Sequence, residues 1–201
     1  GEVCERHDLW IIADEVYEEL VFDGGFASPF DDAKLAELTV VISSISKSHA
    51  APGFRSGWCA GPVEFCDRLL PLAEAMLFGS QPFIADMTAD ALSRPSEAAA
   101  IMRESFKRRA DLIRLEFGNS PTIECHKPAS GMFLLADIRK TGQSGEEFAL
   151  GLLDEEKVAV MPGEAFGGQI NGFIRISLTV ADETLLEACG RIKRFAGKFG
   201  T

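Results

Sequence analysis

Two short strings place chemistry-bearing side chains directly after apolar runs. In DEVY, Asp14 follows the run from Leu9 to Ala13 (LWIIA), and Tyr17 comes three residues later. In SSISKSHAAPGFRSG, Ser44, Ser46 and Lys47 follow Val40-Val41-Ile42, and Arg55 stands eight residues beyond the lysine. Ligands of open α/β sheets sit at the carboxyl ends of strands. Each string alone has an ordinary explanation. An acid after a strand caps a helix, and serines and lysines in loops are solvated. Together they bring a carboxylate, a phenol, two hydroxyls, an amine and a guanidinium to neighbouring strand ends, which matches the needs of one bound cofactor.

A second chemistry competes for the same residues. Ser44-Ile45-Ser46-Lys47 is formally S-x-x-K, and Lys140-Thr141-Gly142 is formally K-T-G, the signature pair of penicillin-binding serine acyltransferases. That chemistry needs the serine to open a helix. Here Ser44 follows a strand, Pro52-Gly53 opposes a helix beyond it, and no S-D-N lies between the two strings. The acyltransferase reading is therefore set aside.

The elements that must position these groups can be read from periodicity. The apolar runs Leu9 to Ala13 and Thr39 to Ile45 are rich in β-branched residues and predict strands buried on both faces, as in a parallel sheet. Trp58 to Ala60 predicts a third strand. Pro62 starts a helix to about Phe78, with a kink at Pro71, and Ile84 to Leu92 is a second helix. Ser96 caps a long helix whose Met102, Phe106, Ala110, Ile113 and Phe117 share one face, with Gly118 as its stop. Beyond it the pattern turns α+β. Strands are predicted over Thr122 to Cys125, Met132 to Ile138, Val158 to Met161 and Phe173 to Leu178. Helices are predicted over Gly145 to Leu153 and Asp182 to Phe195. A domain boundary is expected between residues 93 and 118.

Composition excludes several classes. The 201 residues are 46% hydrophobic, enough for a real core, and the formal net charge of −11 repels nucleic acid and anionic membranes. No apolar run approaches the ~18 residues of a membrane span, and the opening residues do not read as a signal peptide. The five cysteines form no C-x-x-C, so reduced thiols in a cytoplasmic protein are expected. His7, His49 and His126 stand apart without H-E-x-x-H, and no metal site is expected. EVCERHD followed at once by DLWIIAD reads as the second half of a βα unit, so the chain is expected to be a piece of a longer protein.

Taken in order, DEVYEELVFDG, SSISKSHAAPGFRSG, PASGMFLLADI, VAVMPGEAFG and FIRISLTVADETLLEAC resemble the C-terminal half of class I/II aminotransferases, pyridoxal 5'-phosphate enzymes of fold type I. The resemblance implies an α/β chain. Residues 1–95 would be the remainder of a large, mostly parallel cofactor domain, and residues 96–201 a small α+β C-terminal domain. It implies that Lys47 anchors the cofactor covalently, that Asp14 pairs with the pyridine nitrogen and that Tyr17 bonds the ring oxygen. Ser44, Ser46 and Arg55 would hold the phosphate, and Arg175 would bind the substrate carboxylate. A buried carboxylate beside the pyridine nitrogen keeps it protonated and makes the ring an electron sink.

Within the family, SSISKSHAAPGFRSG, AMLFGSQPFI and RISLTVADETLLEAC most resemble arginine–pyruvate transaminases. The implied reaction moves an amino group from an amino acid such as arginine to a 2-oxo acid such as pyruvate, in a homodimer with sites at its interface. Two alternatives use the same scaffold: a β-lyase or decarboxylase with the same cofactor, or the non-catalytic sensor domain of a transcription regulator. The family's glycine-rich phosphate loop, ring-stacking aromatic and N-P-x-N-P-T-G segment are missing from these residues, so the chain by itself is expected to be inactive. The bland reading of Arg175 is a surface strand arginine paired with an acid.

Overall fold

The computed structural model describes residues 1–199, so Gly200 and Thr201, part of the expected small domain, lie outside the described residues. The chain divides into two compact units, Gly1–Arg103 and Glu104–Thr201. In the first, α1 (Glu2–His7) leads into β1 (Ile11–Asp14), β2 (Thr39–Ser44), α2 (Ile45–Ser48), β3 (Gly57–Ala60), α3 (Val63–Leu77) and α4 (Pro82–Leu92). Helix α5 (Glu97–Phe117) carries the division between the units.

The sheet of the first unit has the order β1-β2-β3. β1 and β2 are parallel, with Ile11 opposite Thr39 and Asp14 opposite Ile42. β3 returns antiparallel, with Gly57 opposite Ser44. Of the mostly parallel sheet expected of the large domain, the described residues supply one parallel and one antiparallel pairing, with β3 reversed. The reason is local: residues between β2 and β3 form only single turns, α2 and Pro52–Phe54, not the helical crossover that parallel pairing requires.

Burial also departs from expectation. Thr39, Val40, Val41 and Ser43 of β2 are buried, but β1 alternates, and its Ile12 is 71% exposed. Trp10 and Ile42 are exposed as well. The strands are apolar on both faces, yet one face has no layer over it among the described residues. Helix α3 runs on through Pro71 as a single element and buries no residue.

The second unit holds β4 (Glu124–Cys125), β5 (Phe133–Asp137), α6 (Gly145–Glu156), β6 (Met161–Pro162), β7 (Phe173–Ser177) and α7 (Asp182–Ala196). Its antiparallel sheet has the order β4-β5-β7-β6. The strand expected over 122–125 shortens to Glu124–Cys125, and the one expected over 158–161 is displaced to Met161–Pro162, overlapping it only at Met161, since only those residues meet a neighbour in register. Leu134 and Ala136 of β5 and Ile174 and Ile176 of β7 turn to the core. There they join Phe148 and Leu152 of α6 and Leu185, Ile192 and Phe195 of α7. Phe106, Ala110, Ile113 and Phe117 of α5 are buried too, the helical face that the spacing predicts. Ser144 and Glu147 form a capping box at the start of α6. Asp182 and Glu183 open α7 while Lys193 and Arg194 close it, which suits the helix dipole. Among the described residues no helix is long and apolar enough to cross a membrane.

Candidate active-site residues

The register brings three strand ends to one edge of the first sheet. Asp14 ends β1 opposite Ile42, Ser44 ends β2, and Gly57 begins β3 opposite Ser44. A Cβ on Gly57 would lie 2.9 Å from Ser43 O and 3.1 Å from Ser44 Cβ, so only glycine lets β3 start this close to the tip of β2.

Asp14 is exposed, and its Oδ1 accepts the Val16 N–H at 3.3 Å. Half-buried Tyr17 follows, at the head of the turn Glu18–Leu20. The expected strand through Ile45 stops at Ser44 because the Ser44 side chain accepts the Ser46 N–H at 3.3 Å and caps α2. Ile45 is therefore the first helical residue and is buried. Ser44 does open a helix, contrary to expectation, but α2 ends at Ser48, within one turn. As an acceptor, Ser44 keeps its own hydroxyl proton for donation. Ser46 and Lys47 sit half-buried on α2. Among the described residues neither Asp14 nor Lys47 has an ion-pair partner, so both charges are uncommitted.

The loop after Lys47 is strained. Ala50 and Arg55 both take the left-handed conformation, with φ of 51° and 53°. Each costs about 1–2 kcal/mol for a residue with a side chain. Exposed Arg55 donates one guanidinium N–H to Pro52 O at 3.0 Å and leaves its other donors outward.

Sequence reading missed the polar groups that hold this edge. Glu15 is only 5% exposed and accepts from Ser28 Oγ at 2.6 Å, while its N–H bonds Ile42 O at 2.8 Å. Ser43 Oγ donates to Glu18 at 3.3 Å. Burial pushes the Glu18 carboxyl up, the Ser43 bond opposes this, and nearby Glu15 and Glu19 add to the rise. Behind α2, Ser96 Oγ donates to Ser48 O at 2.6 Å and accepts from Ala99 N at 3.1 Å, which ties the start of α5 to the end of α2. Alternation along Ser43-Ser44 was the available signal, since neighbouring strand residues face opposite ways.

Arg175 belongs to the second unit. It lies on β7, opposite Leu135 of β5 and Met161 of β6. Its guanidinium carbon stands 4.9 Å from the Phe133 ring centroid and 4.6 Å from that of Phe166. The acid partner of the bland reading is replaced by two aromatic rings. Rings orient a cation without neutralising it, so the N–H donors stay available for an anion.

Residues 1–192 match the family described as aminotransferase class I and II. An arginine–pyruvate transaminase of Pseudomonas aeruginosa is 46% identical over 192 residues, covering 96% of this chain and 49% of that protein. An aspartate aminotransferase of Bacillus subtilis is 35% identical, with 98% of this chain and 52% of that protein covered. The solved structure of an aromatic aminotransferase from Pyrococcus horikoshii superposes with a TM-score of 0.93 at 30% identity, covering 98% of this chain and 53% of that one. The chain spans about half the length of these relatives. With the motifs, the strand-edge cluster and these likenesses in agreement over nearly its whole length, the chain belongs to the class I and II aminotransferase family.

Proposed function

We propose that this chain is the C-terminal half of a pyridoxal-phosphate-dependent aminotransferase that moves an amino group from an amino acid, arginine foremost, to a 2-oxo acid such as pyruvate. The observation that carries the reading is that Asp14 and Ser44 end neighbouring parallel strands, with Lys47 on α2 directly after, and that neither charge has an ion-pair partner among the described residues. The family depends on pyridoxal 5'-phosphate. The donor set fits that group: a carboxylate for the ring nitrogen, a phenol for the ring oxygen, and hydroxyls with a guanidinium for the phosphate. When bound, the cofactor supplies an electron sink for the charge that develops at the substrate α-carbon.

The chain's own residues do the rest. Asp14 would hold the pyridine proton, and Tyr17 would hydrogen-bond the ring oxygen. Ser44, Ser46 and Arg55 would hold the phosphate. Lys47 Nζ would be the covalent attachment point and, when its amine is free, would take and return the α-proton. Arg175 receives the substrate carboxylate, its plane set by Phe133 and Phe166. The arginine donor is supported by the 46% identical relative and by the shared strings around Lys47 and Arg175. The active form is taken to be a cytoplasmic homodimer, as the family resemblance and cysteine usage imply.

The test is a donor screen on the intact holoenzyme with pyruvate as acceptor. Arginine is expected to be the best donor, with alanine formed in equal amount. Aspartate or aromatic donors far outperforming arginine would overturn the substrate assignment. Loss of donor without any need for a 2-oxo acid would point to lyase chemistry, and no turnover at all to a sensor.

A further inference from the structure

A densely bonded carboxylate lies in the second unit, away from any role in the reaction. Glu164 Oε1 accepts the backbone N–H of Gly145 at 2.7 Å and that of Gly172 at 3.2 Å. Gly145 is the first residue of α6, Gly172 immediately precedes β7, and Glu164 itself stands in the turn Gly163–Phe166. One side chain thus ties three segments together. Gly145 makes room for it, since a Cβ there would collide with Glu164 Oε2, and Gly163 lets the turn itself pack closely, since a Cβ there would collide with Ile170 O. Oε2 is buried and has no hydrogen-bond partner among the described residues. Burial works to raise the Glu164 carboxyl, but the N–H groups of Glu164 itself, Gly145 and Gly172 outweigh it and hold the carboxyl below its ordinary range.

What the tied turn carries is the Phe166 ring on Arg175. Phe166 comes two residues after Glu164 and is 49% exposed, so core packing does not hold it in place. Arg175 comes three residues after Gly172, at the other end of the tie. Releasing the turn from β7 therefore frees the Phe166 contact with the guanidinium while the Phe133 contact, on neighbouring β5, remains.

We propose that Glu164 is a positioning residue for Arg175: its carboxylate holds the Gly163–Phe166 turn to the start of β7, keeps Phe166 against the guanidinium, and so fixes the plane offered to a substrate carboxylate. The proposal rests on the reading of Arg175 as the carboxylate clamp.

The experiment is steady-state kinetics on the intact holoenzyme with Glu164→Ala, Glu164→Gln, Phe166→Ala, the Glu164→Ala/Phe166→Ala pair, and Arg175→Ala. Glu164→Ala and Phe166→Ala should each raise KM for amino donor and oxo acid roughly threefold to thirtyfold, the weight of one cation–π contact, with kcat changing less. Glu164→Gln, which keeps an acceptor oxygen, should recover most of the loss. The double variant should add little to either single one, because both act on one contact. Cofactor absorbance should stay unchanged, since attachment at Lys47 belongs to the other unit. Unchanged KM in the Glu164 and Phe166 variants, with a raised KM in Arg175→Ala, overturns the positioning role and leaves the clamp intact. Fully additive effects in the double variant also overturn it. Unchanged KM in Arg175→Ala overturns the clamp beneath it. If Glu164→Ala does not fold, a wild-type KM in Phe166→Ala is sufficient to overturn the proposal.

Discussion

The two units hold their functional groups in opposite ways. In the first, the groups stand at the ends of β1 and β2 and on the short turns that follow, where Ala50 and Arg55 take left-handed conformations. Their sheet keeps one apolar face uncovered, and α3 and the loop after it expose Val63, Met76 and Phe78. In the second, Arg175 sits inside a regular strand whose other face, Ile174 and Ile176, is packed into a closed core. The proposed roles fit this contrast: proton transfer and covalent attachment, proposed for Lys47, need a side chain that can leave its resting contacts, and charge recognition, proposed for Arg175, needs a fixed plane such as a strand with rings beside it offers. Left-handed residues with side chains persist only where their surroundings hold them, and exposed apolar side chains such as Ile12, Met76 and Phe78 are surface that another layer can cover.

The contrast can be broken most directly by dividing the chain. Residues 96–201, which keep α5 whole, should unfold cooperatively when expressed alone, whereas residues 1–95 should show no cooperative transition and should bind an apolar dye. A sharp transition in residues 1–95 would mean that the uncovered face costs nothing and that the two units are alike.

Next in size is the chemistry of the tip. Lys47→Ala in the intact holoenzyme should lower transamination by roughly 10²–10⁴-fold, the usual weight of a positioned proton-transfer group, and should abolish borohydride fixation of the cofactor. A label recovered by peptide mapping on any other lysine would remove Lys47 from its role. Asp14→Asn should leave the cofactor bound and cut kcat by roughly 10²–10³-fold, because a neutral amide no longer holds the pyridine proton. Near-normal kcat in that variant would move the electron-sink role to another group.

The smallest effect belongs to the second unit and sharpens the contrast through pH. The Glu164 carboxyl is held below its ordinary value of 4.5 in the folded state. The unfolded chain therefore binds more protons there. The stabilisation is complete above 4.5 and is lost as pH falls through the lower folded value. Asp137, bonded by Arg139, Glu147, bonded by Ser144, and Glu156, bonded by Arg194, are also held low and act with the same sign. The diagnostic quantity is thus the difference between wild type and Glu164→Gln. Chemical denaturation from neutral pH downward should show the wild type losing stability more steeply. Parallel curves would mean that Glu164 adds no pH-dependent stability.

Much of the local structure was legible because it is encoded over a few residues. The four-and-three spacing of Phe106, Ala110, Ile113 and Phe117 gave the buried face of α5, and the β-branched run before Ser44 gave β2. The candidate groups of the tip could be named from residue type after an apolar run. Less visible were Glu15, Ser43 and Glu164, whose partners Ser28, Glu18 and Gly145 come from other segments with no periodic mark. The two-faced burial expected of β1 failed for a related reason: apolar residues state that a face can be covered, but not what covers it.

By itself the sequence determined the chemical inventory, the helices and strands that carry it, and the order in which Asp14, Lys47 and Arg175 occur, because residue type and short-range spacing are local properties. The tertiary structure alone decided that β3 runs antiparallel to β2 with Gly57 against Ser44, that Ser44 turns back to cap α2, and that Arg175 faces Phe133 and Phe166 instead of an acid. Pairing register and ring contacts join residues distant in the chain, and their free energy is gained only when those residues meet in the packed fold.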